Sequence, residues 1–183
     1  MKGSKWSIFK KRISALPPKD QLALFRELYE LSPENREYME TKLQTEEEVI
    51  ENFNTYYDRA LEPFDLKGVL TKKEMAKANK TIRTFQKACD NQDAVVDLML
   101  FFVEEGTEFT VEFGDMFEEY YDTLEEVFMK LVDILKSPGG RKVYNDSRRS
   151  RFQELASLAS RIGWGYGDFV RDRVAELEKR FAK

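Results

Sequence analysis

Apolar positions recur at three- and four-residue intervals along nearly the whole chain, the spacing that keeps side chains on one face of an α-helix. Residues 6–15, WSIFKKRISA, form a short amphipathic segment closed by Pro17-Pro18. Over residues 18–31, Leu22, Leu24, Phe25, Leu28 and Tyr29 make one apolar face. Ser32, Pro33 and Glu34 then supply an N-cap, a residue suited to the first helical position and an acid at the positive helix end. Two helices meeting at this step predict a helical hairpin. Thr45 with Glu48, and Thr71 with Glu74, have the spacing of capping boxes. The first predicts a helix to about Leu61, with Val49, Phe53, Tyr56, Tyr57 and Leu61 inward, broken afterwards by Pro63 and Gly68. The second predicts a helix over 72–90.

Residues 92–105 are apolar around most of the circumference, from Val95 and Val96 to Phe102 and Val103, which predicts the most buried helix. Gly106 is expected to end it. The following TEFTVEF, 107–113, alternates polar and apolar residues; a lone strand is not stable, so this stretch is expected to be a loop. A long helix over 115–136 is expected to stop at Ser137-Pro138-Gly139-Gly140. Helices over 143–162 and 168–182 complete the pattern, joined by GWGYG, with Asp168 as the expected cap of the last. Together these elements predict an all-α fold: one domain over 1–183, a bundle or short irregular helical solenoid of about eight to nine helices, with a hinge at 137–140.

Composition sharpens this picture. The chain has 183 residues, enough for one domain with a real core. Charged residues make up 35%, against about 25% in an average domain, which fits amphipathic helices with solvated faces. Fourteen Phe, eight Tyr and two Trp offer too much area to bury for a disordered chain. Five Pro and nine Gly are too few for the turns of a β-sandwich. There is no histidine, which removes Ser-His-Asp and Cys-His mechanisms, imidazole metal ligands and the Glu-x-x-His pairs of di-iron bundles. Cys89 is the single cysteine, so no disulfide forms within the chain and a reducing compartment is the simpler expectation. The net charge of −4 points to neither nucleic acid nor membrane. No apolar run reaches the length of a membrane span, and the basic start lacks the apolar centre of a signal peptide. The expected location is cytoplasmic.

Charge is distributed unevenly. From Glu104 to Asp133 there are eleven acids against one base, Lys130, a net −10. From Lys67 to Lys87 there are seven bases against one acid, Glu74, a net +6. At about 100° per residue, Asp115, Glu119, Asp122, Glu126 and Asp133 share one stripe, opposite Phe117, Leu124, Leu131 and Leu135. The acids therefore face away from the core, and a bundle metal site, whose ligands point inward, is not expected from them. On the basic helix, Lys72, Lys80, Arg83 and Lys87 lie opposite Met75, Ala78, Ile82, Phe85 and Cys89. Cys89 reads as a small core residue rather than a nucleophile.

These separated faces favour oriented docking of a protein partner or of a second copy, with Glu119, Asp122 and Glu126 on the acidic side and Lys73, Lys80 and Arg83 on the basic side. That reading depends on the two faces not meeting within one chain. A second basic stretch carries Lys136, Arg141, Lys142, Arg148, Arg149 and Arg151 against Asp146. Arg141, Lys142, Arg148, Arg149 and Arg151 are candidates for phosphate or nucleic-acid binding, although no phosphate-binding glycine motif accompanies them. In RIGWGYGDFV, 161–170, Trp164 and Tyr166 are either a tight turn whose rings cover the bundle end or an aromatic platform for a partner.

The strings LFRELYELSPENREYMETKL, DLMLFFVEEGTEFTVEFGDMFEEYYDTLEEVF and IGWGYGDF, in that order, resemble a family of small helical bacterial proteins of unknown function. The resemblance spans roughly residues 13–175 and rests on caps, core aromatics and glycine turns, so it implies a single helical domain and no reaction. The leading expectation is a non-enzymatic helical interaction protein that needs no cofactor and no catalytic residues. The alternatives are a nucleic-acid-associated regulator and, with only carboxylates available as ligands, a metal enzyme.

Overall fold

The computed structural model describes residues 5–45, 47–65 and 70–182. Lys67, Gly68 and the side chain of Asp146, which entered the sequence reading, lie outside the described residues. Among those residues the fold is all-α, with ten α-helices, one 3₁₀ turn and no strand. It divides into two compact units at Gln44–Thr45.

The first unit contains α1 (Lys5–Ser14), α2 (Pro18–Leu31) and α3 (Pro33–Lys42). Helices α2 and α3 form the expected hairpin. The Ser32 hydroxyl accepts from the Asn35 amide at 3.1 Å, and the Asn35 side chain donates to the Leu28 carbonyl at 2.9 Å. These bonds satisfy orphan backbone groups on both sides of the turn. Tyr29 donates its hydroxyl to Glu40 and carries the Arg36 guanidinium over its ring, tying the two helices together.

The second unit holds the hydrophobic core. It begins with α4 (Glu48–Leu61) and a 3₁₀ turn, Glu62–Asp65. Then follow α5 (Lys72–Ala88), α6 (Gln92–Phe113) and α7 (Glu118–Lys136). The one-turn α8 (Gly140–Val143), α9 (Asp146–Ala159) and α10 (Tyr166–Phe181) complete it. The Thr71–Glu74 capping box is made, with bonds at 2.8 and 3.4 Å. Thr45 and Glu48 exchange bonds at 2.7 and 3.4 Å, but α4 begins only at Glu48, with Glu47 in the N-cap position. Helix α6 is central, as its all-round apolar character implies, and packs against α4, α5, α7, α8 and α9. Val96, Leu98, Met99, Leu100, Phe102 and Val103 are completely buried. Cys89 is buried too.

The expected loop at 107–113 is instead the last two turns of α6, and Gly106 lies inside the helix. The reason is close packing. Leu124 of α7 occupies the space a Cβ at Gly106 would need, 2.5 Å from its Cδ2, and the Tyr120 hydroxyl donates to the Gly106 carbonyl. Thr107 stays helical by returning its hydroxyl to the Val103 carbonyl at 2.6 Å. Phe109 is buried against the Phe64 ring, so the tertiary contacts reward continuation of the helix past a glycine. The expected helix over 143–162 is split, because residues 140–143 form their own turn before Asn145 caps α9. Residues 137–140, expected as a hinge, make a tight turn in which Gly140 is buried.

Helix α10 starts at Tyr166, with Gly165 before it in a left-handed conformation. Asp168 therefore lies inside its first turn and pairs with Arg171 at 2.7 Å instead of capping. Gly167 lets the start of α10 lie against the end of α9: a Cβ there would stand 2.5 Å from the Ala159 carbonyl oxygen. Backbone cannot rotate away as a side chain can. Gly167→Ala is expected to lower the unfolding free energy by about 1–3 kcal/mol, as overpacking typically does, measured by urea denaturation.

Candidate functional site

The acidic and basic stripes meet within the chain. Helices α5 and α7 pack side by side, and their charged faces close over the seam. Lys72 pairs with Glu119. Glu126 accepts from Arg83, from Lys130 at 2.6 Å and from the Asn79 amide at 2.9 Å. The Lys130 bond, helped by Asn79 and Arg83, holds the Glu126 carboxyl down at about 2. Lys73 and Lys80 are exposed on the outer side of α5. Of the three acids expected to receive a partner, Asp122 alone is exposed and has no basic partner among the described residues.

Most of the second basic stretch is also paired within the chain. Arg148 is only 7% exposed. Its guanidinium bonds both Asp97 oxygens at 2.8 Å, Asp93 at 2.6 Å and the Val143 carbonyl at 2.7 Å. The fork geometry that suits a phosphate is here spent on α6 carboxylates and backbone. Arg149 grips Glu178 of α10, which also accepts from the Tyr144 hydroxyl at 2.8 Å. Arg151 bonds Glu104 at 2.9 Å and lies 4.2 Å from the centre of the Phe101 ring. Arg141 and Lys142 remain exposed and without an acidic partner among the described residues.

Three acids without a base among the described residues also stand together where α7 begins beside the GWGYG turn. A concavity of about 590 Å³ is lined by Met116, Phe117, Glu118, Tyr121, Asp122, Glu125 and Trp164. Glu118, Asp122 and Glu125 have i, i+4, i+7 spacing and so share a face. None of the three carboxylates has a basic partner among the described residues. Burial, and then the charge of Asp122, pushes the Glu125 carboxyl up. Phe117 and Tyr121 supply the apolar wall, and the Tyr121 hydroxyl accepts from the Met116 amide at 3.4 Å.

Trp164 stands on the rim. It is 81% exposed and holds φ at 59°, a region that residues other than glycine, asparagine and aspartate rarely occupy. The two rings of the expected platform therefore separate. Tyr166 is fully buried, its hydroxyl 2.7 Å from that of Thr107 and its ring 5.6 Å from Tyr121, so it supports the site from beneath and presents no face to solvent. Alternation in GWGYG gave both rings equal standing, and only packing distinguishes them. The rim acids Glu118 and Glu125 were not singled out by the sequence reading, although a signal exists. At helical spacing Lys130 has only Glu126 and Asp133 as acids, which leaves Glu118, Asp122 and Glu125 without a base one turn away.

Among the described residues, no group of three or more Cys, Asp or Glu side chains is gathered closely enough to hold a metal ion. No helix there is long and apolar enough to cross a membrane. No protein-family model matches this chain, nor does any curated protein or solved structure. The resemblance to small helical bacterial proteins accordingly rests on its quoted motifs alone.

Replacing Arg148 removes both 2.8 Å bonds to Asp97, which keeps only Arg151 at 3.4 Å among the described residues, and takes one donor each from the Val143 and Asp93 carbonyls. Arg148→Met is expected to cost about 2–4 kcal/mol, in the range for breaking a buried charge pair. Arg148→Lys is expected to recover only part of this, because an ammonium cannot fill the fork. Urea unfolding of both variants checks the order.

Glu126 makes stability pH-dependent. Its carboxyl is depressed from 4.5 to about 2 in the folded chain. The stability it contributes is therefore complete above pH 4.5 and is lost as pH falls toward 2. The side chain is 38% exposed, so solvent screening reduces the effect to about 1 kcal/mol. Glu126→Gln is expected to be less stable than wild type by that amount at pH 7, with the gap closing near pH 2 in the same urea titration.

Proposed function

We propose that this protein is a non-enzymatic helical interaction protein that docks a protein partner in the concavity between the start of α7 and Trp164. The observation that carries the reading is Trp164 itself. An exposed indole gains nothing from the hydrophobic effect, and a side chain at φ 59° costs roughly 1 kcal/mol. A partner that covers the ring recovers the first loss; aromatic anchors of this kind dominate many interfaces. The unpaired acids Glu118, Asp122 and Glu125 give the surface a sign, so a basic partner is steered toward it and like-charged partners are rejected. The paired stripe of Glu119, Glu126 and Arg83 serves to join α5 to α7 in this reading. The phosphate-binding alternative keeps Arg141 and Lys142 as its unpaired bases.

Asparagine tolerates the left-handed region better than tryptophan. Trp164→Asn is therefore expected to leave the melting temperature unchanged or slightly raised while abolishing partner capture. Affinity capture from the native host, with wild type, Trp164→Asn, Asp122→Lys/Glu125→Lys and the exposed control Lys73→Glu, tests this. Partners held by wild type and Lys73→Glu but lost from the other two support the site. Equal capture by all four, or none by any, removes it.

A further inference from the structure

The chain carries a surface whose chemistry mirrors the concavity. Helix α1 contains Lys5, Lys10, Lys11 and Arg12 and no acid. None of its ten residues is buried, and Trp6 is 66% exposed. At helical spacing Trp6, Phe9 and Ile13 share one face, and the Trp6 and Phe9 rings lie 5.6 Å apart. Lys5 and Arg12 flank that face on one side and Lys10 on the other. No acidic partner for any of the four bases exists among the described residues.

Thus α1 is an aromatic ridge edged with unpaired bases, and the concavity is an aromatic hollow edged with unpaired acids, Glu118, Asp122 and Glu125. An amphipathic helix that lays its apolar face into a groove is a recurring recognition mode. A cavity of about 590 Å³ is of the size that receives a few large side chains. We propose that the occupant of the concavity is α1 of a second copy of this chain, with Trp6 and Phe9 seated against Phe117, Tyr121 and Trp164 and the bases of α1 facing the three acids. This rests on the docking reading of the concavity and names its partner. Reciprocal exchange between two copies closes the contact on a two-fold axis and yields a dimer. Desolvated charge pairs at such a contact couple strongly, and long-range steering weakens with salt.

The test is the mass of the intact protein in solution, followed by sedimentation over a concentration series. Wild type is expected at twice the 21.6 kDa of one chain, with dissociation promoted as salt rises from about 0.05 to 0.5 M. Lys10→Glu/Arg12→Glu and, separately, Asp122→Lys/Glu125→Lys are each expected to raise the dissociation constant at least about tenfold while retaining the wild-type circular dichroism. Mixing these two variants leaves one intact α1 facing one intact concavity, so the mixture is expected to associate more tightly than either variant alone. A wild-type chain that stays monomeric at about 100 μM, weak for any specific interface, overturns the proposal. So does association that neither variant weakens, or a mixture no tighter than its parts. If wild type is monomeric yet captures another protein through Trp164, the second-copy inference falls and the docking surface stands. If Trp164→Asn changes neither capture nor mass, both fall.

Discussion

Helix α6 is apolar around most of its circumference, and that constraint organises the second unit. A helix with no polar face must be covered on every side. Helices α4, α5, α7, α8 and α9 provide the cover, each turning one apolar stripe inward. At Gly106 the missing side chain admits Leu124 of α7, and the Tyr120 hydroxyl bonds the helix carbonyl. This contact places the start of α7, and with it Phe117, Tyr121 and the acids of the concavity. Tyr166, locked to Thr107 on the same helix, places the turn that carries Trp164. The candidate site thus inherits its geometry from the buried ends of α6, α7 and α10, while its own chemistry lies at the surface.

Charge follows the same logic one layer out. Covering α6 brings the basic face of α5 beside the acidic face of α7 and sets the arginines of α9 against Asp93, Asp97 and Glu104. Pairs at the exposed seam contribute modestly; the buried Arg148 fork carries more consequence because its loss takes both short bonds from the part-buried Asp97 carboxylate. The segmental imbalance, net −10 against net +6, is met inside the unit only in part, through Glu104, Glu119 and Glu126. Among the described residues, Glu118, Asp122 and Glu125 at the concavity have no basic partner, and the bases of α1 have no acidic one. An unpaired charge beside exposed aromatics gains from a complementary partner, whereas a paired stripe has already satisfied its charges.

Much of this was legible in the chain. Periodicity marked the helices, Ser32 and Thr71 marked the starts of two of them, and the dense apolar stretch marked the core helix, because caps and amphipathic phase are local properties. The errors share one cause. Gly106 reads as a stop and TEFTVEF as a link on local preference alone, but packing of Leu124 and Phe109 outweighs a preference of about 1 kcal/mol. Asp168 has the chemistry of a cap, yet the buried Tyr166 starts the helix earlier.

The amino-acid order by itself determined the helical class, the phase of each face and the absence of imidazole chemistry, since each depends on residues within a few turns of one another. Only the tertiary structure decided which charges meet, which of Trp164 and Tyr166 reaches solvent, and where acids remain without bases. Those outcomes depend on which helices become neighbours, and a helical wheel records the direction in which a side chain points but not what stands opposite it.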